Sequence, residues 1–378
     1  MDANLYCNVS HMSKNIAKIE SSYPFLGKPF LQALEDSHSA CEETGWKPMH
    51  IKLNSASDAI SMPLYLKDHS MGEYVFDYAW ADAYYRNNLE YYPKLLTAIP
   101  FTPATGPRVA SSNALEPNHC MQLYEQVLTT AEKTGASSWH LLFPEQEQLK
   151  LFSELPLLHR EGVQYHWFNR DYKVFDDFLG AMTSRKRKMV RRERKEVGKQ
   201  GITMEIQEGA AIQPVVWELF YYLYERTYAK RNGTRGYLTQ QFFQQIASSM
   251  REQVAMAVAY KDEQPIACAL YFFDSETLYG RYWGSVDEFQ FLHFELCYYQ
   301  GIEFALSKGL QKYDAGAQGE HKIMRGFEPI KTHSLHWIKH DDFRVAIEQF
   351  LNEEKRSIET YIEGAKEILP YRQDSIGQ

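Results

Sequence analysis

The spacing of apolar residues predicts helices and strands that alternate along the first half of the chain. Phe30, Leu31 and Leu34 lie at helical spacing and predict a helix over residues 30–37. A longer amphipathic helix is predicted from residue 121 to Gly135, because glycine commonly follows the last turn of a helix. Alternating or continuous apolar runs predict strands at residues 50–53, 62–67, 73–80 and 137–144.

The second half of the chain has a similar, loose rhythm of strands and helices. Residues 254–284 read as three strands joined by turns at Asp262-Glu263 and Asp274-Ser275. The other predicted segments are strands at 163–169 and 310–316 and helices at 175–184, 217–233, 239–250 and 292–309. This order predicts an α/β fold of the mixed α+β kind, with sheets flanked by helices, rather than a helical bundle or a β-sandwich.

Chain length predicts two folded units. At 378 residues the chain exceeds the size at which one hydrophobic core usually stops growing. We expect an N-terminal lobe over residues 20–162 and a second lobe with the active site over residues 163–340. We expect residues 341–378 to form a helix and tail that pack back on both lobes. The 26 tyrosines favour deep, aromatic-lined clefts as well as ordinary core packing.

Composition and motifs exclude several classes of protein. Five cysteines without CxxC spacing argue against a disulfide framework and a zinc site, and no HExxH motif is present. We therefore expect no metal site and no tightly bound cofactor. The N-terminus lacks the segments of a signal peptide, and no stretch approaches the roughly 20 apolar residues of a membrane span. These features predict a cytoplasmic protein and leave its oligomeric state open.

One segment concentrates positive charge in an acidic protein. Residues 184–199 hold nine Lys or Arg and two Glu, whereas the whole chain has a formal net charge of −8. As a helix, this segment would have a narrow apolar seam, formed by Met189, Val190 and Val197. It would also have a basic ridge, formed by Arg185, Lys188, Arg192, Lys195 and Lys199. It could be a solvated face, a duplex-DNA contact, which the acidic composition disfavours, or a site for a phosphate-bearing ligand. The candidate phosphate-binding residues are Arg185, Arg187, Lys188, Arg191 and Arg192.

Further polar candidates lie in apolar segments of the second lobe. In the predicted strand around residue 282, Arg281 and Trp283 are expected on one face and Tyr282 on the other. In the helix that follows, His293 and Glu295 are further catalytic candidates, and they are expected on different stripes of the helix.

A glycine-rich loop carries the densest group of candidates. It follows the strand that ends near Tyr313, and its glycines would let the backbone approach a ligand closely. The catalytic candidates in this loop are Glu320, His321 and Lys322, and the candidates for donor binding are Gly316, Gln318, Gly319 and Arg325.

These residue types suit transfer of an acyl group to an amine. Glu320 or His321 could remove a proton from the amine, although a single histidine is equally well explained as structural. Lys322, Arg281 or loop amides could polarise a carbonyl group. Tyr282 and Tyr313 could protonate the leaving group. We expect this cluster and the basic ridge to face one cavity between the lobes.

Several long motifs together resemble a known family. The segments 184–197, 278–284, 292–305, 316–329 and 332–338 resemble the bacterial predicted N-acyltransferases described as peptidoglycan biosynthesis/recognition proteins. These form a branch of the GNAT superfamily that is similar to the Fem aminoacyltransferases. The resemblance implies tandem GNAT-like lobes in a Fem-like arrangement. It also implies that Arg187, Arg191 and Lys195 match the basic stretch of Fem enzymes. Lys322 would match the lysine that Fem proteins carry just before a Phe-Gly pair.

The resemblance implies an activity with two possible donors. An N-acyltransferase of this kind would move an acyl or aminoacyl group from acyl-CoA or aminoacyl-tRNA to an amine. The acceptor would be a small molecule or a peptide, such as a peptidoglycan precursor, and the acceptor end of a tRNA would be a partner. The alternative is a noncatalytic GNAT-like protein that binds a muropeptide or another anionic ligand.

Overall fold

A computed structural model describes residues 22–54, 59–317 and 319–372 of the chain. The α-helices, numbered in chain order, are α1 (Lys28–Asp36), α2 (Tyr78–Arg86), α3 (Pro117–Thr134), α4 (Gln146–Phe152), α5 (Phe175–Ala181), α6 (Ser184–Lys199), α7 (Pro214–Asn232), α8 (Gln240–Ser249), α9 (Leu292–Phe294), α10 (Gln300–Ser307) and α11 (Asp341–Glu367). A π-helical segment, Glu295–Tyr299, joins α9 to α10, and a 3₁₀ helix spans Glu320–Arg325.

The strands form two sheets among the described residues. They are β1 (Lys47–Pro48), β2 (Ile51–Asn54), β3 (Ala59–Met62), β4 (Tyr65–Lys67), β5 (Lys94–Thr97), β6 (Ala110–Ser111), β7 (Ser138–Leu142), β8 (Leu158–Phe168), β9 (Ile202–Glu208), β10 (Val254–Lys261), β11 (Gln264–Phe273), β12 (Thr277–Ser285), β13 (Lys312–Asp314) and β14 (Glu328–Ile338). The large sheet has the order β1-β4-β5-β7-β14-β8-β13-β12-β11-β10-β9, and the small sheet the order β2-β3-β6.

The large sheet runs through both halves of the molecule. Strand β14, from the C-terminal half of the sequence, pairs with β7 on one side and with β8 on the other. Strand β8 in turn pairs with β13, and the boundary predicted between residues 162 and 163 lies inside this strand. Each half of the sheet contains one parallel pair, β5 with β7 and β12 with β13. The two lobes are therefore joined by continuous backbone hydrogen bonding.

The hydrophobic core also connects the lobes. One cluster of buried side chains combines residues near the N-terminus, such as Phe25 and Phe30, with residues of α7, α8 and the strands β10 to β12, such as Phe242 and Phe272. A second cluster lies in the second half of the chain, and a third combines residues of the first lobe with Leu335 of β14. Helix α11 packs across β8 and β14. No helix in the described ranges has the length and apolar character needed to cross a membrane.

Most of the predicted long elements are present. Helix α3 ends before Gly135, which has a left-handed φ of 72°. Helix α6 covers the whole basic segment, and β10, β11 and β12 form the predicted meander. Its first turn places Asp262 and Glu263 at φ of 50° and 61°, as a tight hairpin of primed type requires.

The strand predicted at residues 73–80 is wrong. Residues 70–77 form a loop that leads into α2, and Tyr74 has a left-handed φ of 64°. The polar residues of the alternating pattern do not face solvent. Instead, the carboxylates of Glu73 and Asp77 contact Nζ of Lys94, a fully buried cation that needs anionic partners.

Candidate active site

A gap in the large sheet creates the site. Strands β12 and β13 pair in parallel over three residue pairs only, from Thr277 with Lys312 to Tyr279 with Asp314. Strand β13 then ends, whereas β12 continues to Ser285 and pairs there only with β11 among the described strands. The edge of β12 beyond Tyr279 is thus left without a neighbouring strand. The carbonyl oxygen of Trp283 in this part of β12 accepts a hydrogen bond from Oγ1 of Thr227 in α7 at 3.3 Å.

A β-bulge at this gap changes the direction of the β12 side chains. Leu270 of β11 faces Tyr282 and Tyr271 faces Gly280, so Arg281 is an extra residue on β12. Nη2 of Arg281 and the hydroxyl of Tyr282 both donate to the carbonyl oxygen of Phe101, at 2.8 and 3.2 Å. The prediction that Arg281 and Tyr282 lie on opposite faces is therefore wrong, because the bulge interrupts the strict alternation of the strand.

A cavity of about 660 Å³ lies beside this edge. The cavity is bordered by the loop at residues 70–77, helix α7, the helix containing the π-helical segment, and the segment that follows β13. The lining is rich in aromatic rings from both lobes. Those from the first lobe are Tyr74, Phe76 and Tyr78, and those from the second are Tyr224, Tyr228, Tyr237, Tyr271, Tyr282, Trp283, Tyr298 and Tyr313.

The polar side chains of the helix that contains the π-helical segment point to different sides. Its extra residue per turn shifts the side-chain stripes relative to those of an α-helix. His293 and Cys297 line the cavity, whereas Glu295 is buried elsewhere and pairs with Arg194 at 2.9 Å. Burial lowers the pKa of His293 to about 3, so its imidazole is neutral at physiological pH. Glu295 thus stabilises the fold, and the expectation of a catalytic carboxylate at this position is wrong.

Lys322 and His321 bring titratable groups to the cavity. Nζ of Lys322 donates to the carbonyl oxygen of Gly316 at 2.6 Å, and burial lowers the pKa of this lysine to about 8. Nε2 of His321 lies 2.7 Å from the hydroxyl of Tyr298. Partial burial, together with the cations Arg325, Lys322 and Arg231, lowers the pKa of His321 below its usual value. Near neutral pH the site therefore combines a neutral imidazole with a largely cationic lysine.

Two hydrogen-bond donors at the cavity lack partners within the described ranges of the chain. They are Nε of Arg281 and Nε1 of Trp283, both buried on side chains that line the cavity. Leaving a buried donor unpaired costs about 1–3 kcal/mol, so such groups commonly await a ligand or water. Both are N–H groups, which suit the oxygen atoms of a carbonyl or carboxylate.

Comparisons with known proteins identify the family. A sequence model of the FemAB-like family, described as peptidoglycan biosynthesis/recognition, matches residues 9–373. The chain belongs to the FemAB-like family. This confirms the resemblance inferred from the sequence motifs.

Solved structures agree with the Fem-like fold. FemX superposes with a TM-score of 0.53 at 14% identity, and the match covers 92% of this chain and 99% of FemX. The C-terminal domain of a protein from Agrobacterium fabrum, assigned as a lysylphosphatidylglycerol synthetase, gives a TM-score of 0.50 at 13% identity, with coverages of 84% and 94%. A comparison with curated proteins gives no match. At these identities the structural likeness establishes the fold alone, and it confirms the mixed α+β, Fem-like arrangement.

Several residues predicted for the site of this FemAB-like protein lie at the cavity. They are Arg281, Tyr282, His293, Tyr313, Gly316, Gly319, His321 and Lys322. The hydroxyl of Tyr313 donates to the carbonyl oxygen of Cys297, and burial raises its pKa well above the usual value, so the predicted role as a proton donor is disfavoured. Gln318 lies outside the described residues.

Two residues of the loop lie outside the cavity lining. Glu320 is exposed and accepts a hydrogen bond from the hydroxyl of Tyr361 in α11 at 2.8 Å. Arg325 is buried and pairs with Glu193 of α6 at 2.7 Å. Neither is placed for the role predicted from the sequence, because a 3₁₀ turn directs neighbouring side chains to different sides.

The basic ridge does not share the cavity. Helix α6 contains five candidate phosphate-binding residues, and none of them lines the cavity. Four are exposed, namely Arg185, Lys188, Arg191 and Arg192, and Arg187 is half-buried. The inner face of α6 presents Val190, Glu193 and Val197 instead. The prediction that the basic ridge and the loop candidates face one cavity is therefore wrong. The apolar seam of α6, and not its charge, determines which side of the helix packs inward.

Sequence reasoning missed part of the cavity wall. Arg231, near the end of α7, lines the cavity and lowers the pKa of His321 electrostatically. Tyr74, Phe76 and Tyr228 complete the aromatic lining. The high tyrosine count pointed to such a cleft, but no local motif marks these positions.

Proposed function

We propose that this protein is an N-acyltransferase that moves an acyl or aminoacyl group from an activated thioester or ester to an amine. Membership of the FemAB-like family supports a transferase role. The observation that carries the proposal is the cavity at the free edge of β12, which combines His321, Lys322 and the unpartnered donors of Arg281 and Trp283. The acceptor amine would be part of a small molecule or a peptide, such as a peptidoglycan precursor.

The donor groups suit an acyl carbonyl. When an amine attacks, the carbonyl oxygen gains negative charge, and preorganised N–H groups in a dry site stabilise that charge strongly. Arg281 Nε and Trp283 Nε1 are buried N–H groups without partners among the described residues, so each would donate a hydrogen bond to this oxygen once the donor is bound. The ammonium group of Lys322 adds a positive charge beside them. We assign these three groups to the polarisation of the carbonyl.

His321 is the best-placed base. The amine must be neutral to attack, and its proton must leave as the new C–N bond forms. His321 is neutral near pH 7 because its pKa is lowered, and its Nε2 is linked to Tyr298. Glu320 is directed toward Tyr361 instead. We therefore assign proton removal to His321, by way of Tyr298 or directly through the ring.

The proposed steps follow from these assignments. The amine nitrogen attacks the carbonyl carbon and forms the C–N bond, while its proton passes to His321. The tetrahedral intermediate then collapses, the bond from carbon to the leaving sulfur or oxygen breaks, and the leaving group takes up a proton from the histidine. An extended donor chain with amide groups would bind along the unpaired edge of β12, because strand edges pair with such chains.

A matched pair of variants tests this proposal. We expect His321→Gln to lower kcat/KM for amide formation by about 100-fold, the usual scale of acid–base catalysis. Glu320→Gln, one residue away but exposed, serves as the control and should change kcat/KM little. The purified protein is assayed with acyl-CoAs and with aminoacyl-tRNA against amine acceptors. Equal effects of both substitutions would contradict the assigned base.

The donor is distinguished by a binding experiment. A ligand that binds the folded but not the unfolded state raises the melting temperature by mass action. Coenzyme A, long acyl-CoAs and charged tRNA can therefore be compared by thermal shift. The basic ridge of α6 would contact the phosphates of a donor that extends beyond the cavity. Reversing Arg191 and Arg192 to Glu should then weaken binding of tRNA, whereas reversing the exposed Arg356 and Lys366 of α11 should not. A muropeptide is compared in the same assay, and binding of the muropeptide alone would favour the noncatalytic alternative.

A further inference from the structure

A second group of polar side chains lies on the sheet away from the catalytic candidates. Strands β8 and β14 are antiparallel, with Glu161 opposite His333 and His159 opposite Leu335. Residues 159 and 161 share one face of β8, since side chains alternate along a strand. The ligand-capable atoms of His159, Glu161 and His333 all lie within 4.8 Å of one another.

The geometry of this group suits a metal ion. Nε2 of His159 is 3.0 Å from Nδ1 of His333. Two nitrogens bound to one tetrahedral zinc ion at normal bond lengths lie about 3.3 Å apart, so a small ring rotation would bring both into position.

The neighbouring lysines leave room for an ion. Lys331 Nζ is 2.7 Å from Oε2 of Glu161, but it also lies 3.4 Å from Glu359. Its side chain is 36% exposed, so it can keep the second contact if the first is lost. Lys355 is more distant, at 3.8 Å from Glu161. Replacement of Lys331 by a divalent ion would therefore leave neither Glu161 nor Lys331 without a partner.

We propose that His159, Glu161 and His333 form a binding site for a divalent transition-metal ion, with zinc as the ion that this donor set fits best. Two imidazoles and one carboxylate leave a coordination position open on a four-coordinate ion. Glu161 and His333 line a second cavity of about 290 Å³. The open position is available to a carboxylate or phosphate group of a ligand in that cavity.

The second cavity adjoins the first. Tyr74, Phe76 and Ala317 line both. Gln164, which is 2% exposed, also lines the second cavity, and its Oε1 has no partner among the described residues. A metal-held anionic ligand with an N–H group would satisfy this oxygen. The site would thereby hold part of a ligand next to the aromatic wall of the candidate active site.

Metal titration of the full chain tests this inference. Isothermal titration with Zn²⁺ and the visible absorption of bound Co²⁺ measure stoichiometry, affinity and tetrahedral coordination. We expect one saturable site that is weakened about tenfold or more by His159→Ala, His333→Ala or Glu161→Gln. The control is His38→Ala, because His38, Cys41 and Glu43 form the other group of suitable ligands among the described residues.

Loss of metal binding can be distinguished from loss of folding in these variants. His159 is exposed, so its truncation should leave the metal-free melting temperature unchanged. Binding that persists in both histidine variants, or that is lost only in His38→Ala, would overturn the proposal. So would the absence of saturable binding at about 100 µM metal, a concentration at which a site of useful affinity is filled. None of these results bears on the transferase assay, which uses residues of the first cavity.

Discussion

The buried ion pair between Arg325 and Glu193 provides a test of the structure against a sequence-based role. Their side chains are each 4% exposed, and Nη2 of Arg325 lies 2.7 Å from Oε1 of Glu193. Arg325 also stacks over Phe294, with its guanidinium 3.4 Å from the ring centroid, and donates to the carbonyl oxygen of His321 at 2.7 Å. The pair thus fastens α6 to the 3₁₀ helix that carries His321 and Lys322.

Removal of one partner should be costly. In Arg325→Met, the carboxylate of Glu193 stays buried, and among the described residues only the hydroxyl of Tyr299 remains as its partner. Loss of one member of a buried pair typically costs about 3–5 kcal/mol, because an uncompensated charge is left in a medium of low dielectric. The double variant Arg325→Met with Glu193→Leu removes both charges and should recover most of that loss. The expected coupling energy is therefore at least about 2 kcal/mol.

Urea unfolding followed by circular dichroism gives the free energies. The matched control is the exposed pair of Arg191 with Asp176, whose side chains are 60% and 75% exposed. Arg191→Met should change the free energy of unfolding by less than about 1 kcal/mol. The structural role of Arg325 is refuted if Arg325→Met changes the free energy of unfolding as little as Arg191→Met does and also weakens donor binding. That result would restore the donor-binding role that the sequence predicted for Arg325.

Three further predictions concern buried titratable side chains. Because burial lowers the pKa of Lys322 to about 8, a role that needs its cation predicts that kcat/KM falls as pH rises through about 8, and Lys322→Arg should remove this fall. Lys94→Met should lower the free energy of unfolding by about 3–5 kcal/mol and expose the loop at residues 70–77 to proteolysis, since two buried carboxylates lose their cation. The pKa of His293 is about 3 in the folded state and higher in the unfolded chain, so the unfolded state binds more protons. Stability should therefore fall as pH drops below about 6.5, and His293→Gln should reduce that slope in urea titrations at several pH values.

Local patterns in the sequence determined the elements, the family and part of the site. Helix α6 and the meander of β10 to β12 were predictable because their apolar spacing and turn residues are local properties. The loop with His321 and Lys322 could be named as a candidate from the sequence because its glycines and charges are adjacent there, and the structure places both residues at the cavity.

Only the tertiary structure decided which candidates meet. The bulge that redirects Arg281 arises from pairing between β11 and β12, and the loop at residues 70–77 is held by Lys94 from a later strand. His159 and His333 come together although 174 positions separate them, so no motif reveals the cluster. The basic ridge faces outward because the opposite seam of α6 is apolar. Sequence periodicity reports which side of an element is buried, but the partners of that side are set by packing between distant segments, and the geometry of a site depends on those partners.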